Sequence, residues 1–138
     1  MRINIINKLE QLVEDEGWSF FWGTRAQRNT ELEWGPITIL IQPFGFPLTR
    51  GTEYRVKMSI WIFKEQPIDS QTINNTIELE SVQEIANTFY NKLLESNWAT
   101  PLVSKQNLRV TFWPSDGNKT TNSESAGFLS FDIKIWDC

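Results

Sequence analysis

Carboxylates are the side chains in this sequence best placed by number to do acid–base or metal chemistry. Two local pairs stand out, Glu31/Glu33 and Glu78/Glu80. A glycosidase-type site needs two carboxyls facing each other across a cleft. Acids two positions apart beside a strand or helix are instead expected on solvated surface. Asp116, Glu124 and Asp132 offer oxygen ligands for a hard cation. No Asp-x-Asp-x-Asp-Gly spacing accompanies them, and the string from Ser115 to Asn118 reads as a turn. The glycines from Gly45 to Gly51 precede no helix, so they form no phosphate cradle.

Other chemistry is excluded by composition. The chain has no histidine, which removes the imidazole base, the imidazole metal ligand and the serine–histidine couple. Its one cysteine, Cys138, cannot form an internal disulfide. Motifs for phosphate, dinucleotide, nucleophile-elbow or zinc sites do not occur. The expectation is a protein with no catalytic residues, no cofactor and no metal.

The 138 residues fit one domain, 1–138, large enough to bury a core. Hydrophobic residues make up 40% of the chain, which argues against overall disorder. The formal charge of −4 argues against a dedicated nucleic-acid binder, which needs positive surface to displace counterions. The N-terminal segment lacks the apolar run of a signal peptide, and no segment approaches the roughly 20 apolar residues of a membrane span. A cytoplasmic setting is expected, in which the Asn-x-Thr triplets at Asn74 and Asn118 carry no glycan.

Periodicity supplies the elements that must position any site. Ile3, Ile6, Leu9, Leu12 and Val13 recur at helical spacing, and Gly17 ends that run. The short aromatic stretch Gly17 to Gly23 reads as a strand, residues 24–33 as a turn or loop, and 37–42 as a β-branched strand opened by Pro36. Residues 43–52 read as a turn. From Glu53 to Phe63 the alternation is strict: Tyr54, Val56, Met58, Ile60 and Ile62 share one face. A polar connection leads to a helix at about 82–96, with Ser81 and Glu84 spaced as a capping box. Its stripe is Val82, Ile85, Ala86, Phe89, Leu93 and Leu94. Strands at 107–113 and 127–136 close a hairpin around a long polar loop, 114–126. The fold class is therefore α+β, an antiparallel sheet of about five strands with two helices packed on one face.

Seven tryptophans and nine phenylalanines are a heavy load for this length. Several sit at positions of polar parity: Trp61 and Phe63 with Arg55 and Lys57, Trp113 with Arg109 and Thr111, Phe128 and Trp136 with Asp132 and Lys134. Such a face is either covered by a loop or by the first helix, or is an apolar patch for a partner. Trp61, Phe63, Trp113, Phe128 and Trp136 are accordingly the candidate protein-interface residues. Interleaved Arg55, Lys57 and Arg109 would also suit base stacking, against which the net charge weighs.

This order of elements resembles the tail terminator and tail completion (neck) proteins of long-tailed phages. The resemblance rests on the amphipathic helix INIINKLEQLVEDEG, the long strand TEYRVKMSIWIF, the helix SVQEIANTFYNKLLES and the closing strand GFLSFDIKIW. It is a likeness of pattern over most of the chain, with no short signature. It implies a non-enzymatic virion protein, assembled in the host cytoplasm, that forms a hexameric ring by self-association. The partners it implies are other neck or tail proteins, such as tail tube and connector, with DNA passing non-specifically through the channel and no membrane. Two other classes suit the same residues. One is a monomeric bacterial binding module, such as an immunity or adaptor protein. The other is a small-molecule-binding domain with aromatics lining a pocket between helix and sheet.

Overall fold

The computed structural model describes residues 2–28, 35–48, 53–65, 75–114 and 124–136. The order is α1 (Arg2–Glu14), β1 (Ser19–Trp22), α2 (Arg25–Arg28), β2 (Ile37–Ile41), β3 (Tyr54–Glu65), α3 (Asn75–Glu95), β4 (Ala99–Pro101), a 3-10 turn at Lys105–Asn107, β5 (Thr111–Trp113) and β6 (Glu124–Ile135). The fold is α+β, around one six-stranded sheet in the order β1-β2-β3-β6-β4, with β5 also on β6.

The centre of the sheet is the antiparallel pair β3–β6, in register along its whole length from Tyr54↔Ile135 to Glu65↔Glu124. Strand β6 is flanked on its other side by two short strands. Strand β5 pairs its first half, Trp113↔Ala126 to Thr111↔Phe128, and β4 its last, Pro101↔Ile133 to Ala99↔Ile135. The sheet is mixed, not antiparallel throughout as the strand pattern predicts, because β1 runs parallel to β2. A parallel neighbour needs a crossover, and the long connection from residue 23 to 36 supplies it.

One face of the sheet carries the main core. Ile39, Ile41, Val56, Met58, Ile60, Ile62, Phe131 and Ile133 meet Ile5, Leu9 and Val13 of α1 and Val82, Ile85, Phe89 and Leu93 of α3. Ile60, Ile62, Phe89, Leu93, Phe131 and Ile133 are buried together in this core. Tyr90 joins this buried face of α3, whereas Leu94 lies exposed beside it. The α1 stripe runs through Ile5 rather than Ile6, which is only half-buried.

Local caps explain where α1 ends and where the sheet comes close to α3. Gly17 has φ 77°, a conformation that costs an L side chain about 1–2 kcal/mol. The amide of Trp18 donates to the Val13 carbonyl and that of Gly17 to Glu14, the paired bonds of a Schellman cap. On β6, Gly127 lets α3 approach: a Cβ there would lie 2.4 Å from Val82 Cγ1 and 2.9 Å from Val110 Cγ1.

Three expectations about boundaries change. Helix α3 starts at Asn75, so Ser81 and Glu84 lie within it and cap nothing. Residues 25–28 form a helical turn, not a loop, with a capping box of their own: the Thr24 amide donates to Gln27 Oε1 (2.9 Å) and the Gln27 amide to Thr24 Oγ1 (3.2 Å). The strand expected from 107 begins at Thr111, after the 3-10 turn. Glu31, Glu33, Asn74, Asp116, Asn118 and most of the 114–126 loop lie outside the described residues.

Candidate interaction surface

The second face of the sheet is built from the alternate residues of the same strands, and it divides into two halves. Toward one end lie Arg55, Lys57, Ser59, Ser130, Asp132 and Lys134. Ser59 and Ser130 pair hydroxyl to hydroxyl at 3.3 Å, and Lys134 Nζ reaches Glu53 at 3.2 Å. This half is polar and open, as expected of an antiparallel sheet with one wet face.

Toward the other end the same face is aromatic. Leu40, Trp61 and Phe63 form a second buried cluster, joined by Phe21, Ala126 and Phe128. Strand register dictates this meeting: Phe21 sits beside Leu40, Leu40 beside Trp61, and Trp61 beside Phe128. Strand β5 then adds Trp113 from the edge. Rings of Trp113 and Phe128 lie 5.1 and 4.8 Å from the Trp61 ring. Trp113 and Phe128 thus both pack against Trp61.

Helix α2 covers this cluster. Arg25 stacks over Trp61 at 4.3 Å and Arg28 over Phe63 at 4.1 Å. Arg28 is only 4% exposed, and its charge is compensated from the sheet below. Its guanidinium donates to both carboxylate oxygens of Glu124, at 2.9 and 2.7 Å, and to Thr38 Oγ1 at 3.3 Å. Such a fork is the arrangement a buried guanidinium needs. The cover is therefore α2, not the first helix, which packs on the opposite face.

The five candidate interface residues accordingly occupy different depths. Trp61 and Phe63 are covered within the chain itself, at 8% and 6% exposure. Phe128 and Trp136 are half-buried. Trp113 is 45% exposed and carries the cluster to the surface. Trp136 stands apart from the other four, beside β4, where its amide donates to the Trp98 carbonyl. The indole nitrogen of Trp61 is buried with no hydrogen-bond partner among the described residues. An unsatisfied buried donor costs about 1–3 kcal/mol.

Among the carboxylates, Asp132 is exposed as expected, and Glu80 is too. Glu78 is a correction: it is buried, at 6% exposure, in the first turn of α3. Its surface placement rested on a helix starting after it. With the helix beginning at Asn75, position 78 turns inward, where a carboxylate also complements the helix dipole. Glu124 is tied to Arg28 rather than grouped with Asp132. Among the described residues no set of three acidic or cysteine side chains is placed to hold a metal ion, and no helix is long and apolar enough to cross a membrane.

The residues that sequence reasoning missed are Arg25 and Arg28. Their signal in the sequence is Thr24-x-x-Gln27, the capping-box spacing that Ser81 and Glu84 also show. Compared with known proteins, the sequence matches no family model, and no curated protein matches it significantly.

Proposed function

We propose that this chain is a non-catalytic assembly protein that docks through the aromatic end of its second sheet face, as a ring-forming component of a phage tail or neck. The observation that carries this reading is Trp113. It is a large indole left 45% exposed at the β5 edge, packed at a tilt against the Trp61 ring. Tryptophan is enriched among interface hot spots, where truncation costs about 2 kcal/mol or more. Its base is fixed by strand register and by the Arg28–Glu124 pair, so little ordering cost remains on docking.

A ring requires two different surfaces that meet head to tail. Here β1 ends the sheet on one side and β4 with β5 on the other, so the two edges are built from different strands. The net charge of −4 suits a channel lining that repels phosphates and lets DNA slide. A monomeric adaptor or immunity-type module would use the same face for one partner.

Mass measurement by light scattering, alone and with tail-tube or connector proteins, separates these readings. Ring formation is expected in at least one mixture, and Trp113→Ala is expected to weaken it without lowering the melting temperature. A one-to-one complex with an unrelated partner would favour the adaptor reading. A monomer in every mixture, or rings indifferent to Trp113→Ala, would overturn the proposal.

A further inference from the structure

A cleft of about 290 Å³ opens between α3 and the segment joining the 3-10 turn to β5. Its apolar lining is Ala86 and Tyr90 from α3 and Leu108 and Val110 from the facing segment. Ala86 and Tyr90 are buried, and Tyr90 is fixed by its hydroxyl, which donates to the Val103 carbonyl at 2.6 Å. Two cations, Lys105 and Arg109, also line it, and the remaining lining is neutral amide. Among the described residues no acidic side chain lines the cleft, although the chain as a whole is acidic.

Both cations are held in place. Lys105 Nζ donates to Asn91 Oδ1 at 2.6 Å and lies 5.7 Å from the centre of the Tyr90 ring. Arg109 Nη1 donates to the carbonyls of Gln106 (2.8 Å) and Leu108 (3.2 Å). Both bonds come from Nη1, so the Nε–Nη2 edge keeps the geometry that takes a carboxylate bidentately. A volume of this size stands at the small end of ligand pockets, which pair an apolar lining with a few polar groups.

We infer that this cleft binds a small organic acid, with its apolar body between Tyr90 and Val110 and its carboxylate on Lys105 and Arg109. The site is independent of the aromatic face and of any ring. A carboxylate gains charge-assisted bonds from two tethered cations, whereas the matching amide has no charge for them to meet. An amine of the same shape would be repelled.

The test is an amide-resolved NMR titration of the full chain with a panel of small aromatic and aliphatic carboxylates, each beside its primary amide. Saturable shifts confined to residues 86–90 and 105–110 are expected, with affinity on the order of 1 mM for compounds this small. The amides should bind at least ~10-fold more weakly, and Lys105→Gln with Arg109→Gln should abolish the preference for the acid. Arg109 also braces its own segment, so Lys105→Gln alone serves as the second variant. It should weaken binding of the acid while leaving that of the amide unchanged. No saturable shift across the panel, shifts centred elsewhere, equal binding of acid and amide, or full affinity in both variants would each overturn the assignment.

Discussion

Arg28 holds Glu124 across 96 positions of sequence, with its two terminal nitrogens on the two carboxylate oxygens at 2.9 and 2.7 Å. The pair ties α2 to the last strand. Removing one partner of a buried pair typically costs about 3–5 kcal/mol, because the other charge stays buried. Arg28→Met is expected to fall at the lower end, since Glu124 is partly exposed. The double variant Arg28→Met/Glu124→Met should cost clearly less than the two singles added. Urea denaturation of all four proteins measures this, and strict additivity would show that the contact contributes nothing.

Gly127 and Val82 set the closest approach of β6 to α3. A methyl added at Gly127 would sit 2.4 Å from Val82 Cγ1, and a β-branched side chain has little freedom to withdraw. Gly127→Ala should therefore destabilise by about 1–3 kcal/mol through overpacking. Combining it with Val82→Ala should recover part of that loss. Thermal melts that show Gly127→Ala as stable as the parent would contradict this packing.

At Gly17 the expected cost has a different origin. The residue holds a left-handed conformation, with open space around the position of an added Cβ. Gly17→Ala should cost about 1–2 kcal/mol from backbone strain alone. Gly17→Asn should cost less, because asparagine tolerates this region. Equal losses for the two would argue against a conformational cause.

Trp61 separates packing from hydrogen bonding. Its ring is enclosed, yet its indole nitrogen has no hydrogen-bond partner among the described residues. Trp61→Ala should cost about 3–5 kcal/mol, as for other buried aromatics. Trp61→Phe gives up only part of the ring and also removes the unsatisfied donor. A loss below about 1.5 kcal/mol is expected, since the swap stays within hydrophobic volume. Comparable losses for both would mean that the indole nitrogen is used in the folded protein.

Glu78 and Asp132 should respond differently to conversion to their amides. Asp132 is exposed, and Asp132→Asn should stay within about 0.5 kcal/mol. Glu78 is buried in the first turn of α3, and Glu78→Gln should cost about 1–3 kcal/mol. Denaturant midpoints of the two variants decide this, and equal midpoints would place both side chains on the surface.

Much of this architecture is local in origin, and the sequence by itself determined it. The alternation from Tyr54 to Ile62 forces those side chains onto one face, because a strand repeats every two residues. The spacing of Leu9 and Val13, and of Val82 to Leu93, places them on helix stripes in the same way. Gly17 marks the end of α1 because few other residues adopt its φ. The absence of histidine is likewise a property of composition alone. Parity also gives Trp61, Phe63, Trp113 and Phe128 the polar-side positions of their own strands.

What lay on that face only the tertiary structure decided. Parity cannot say whether a cover exists, and here it is α2, reached through the parallel β1–β2 crossover. The Arg28–Glu124 pair joins residues 96 positions apart, a contact that no local pattern encodes. Residues 105–110 likewise come against α3 only because β5 must pair with β6. Strand register brings distant side chains together, and register is settled by burying whole faces at once rather than by any single residue.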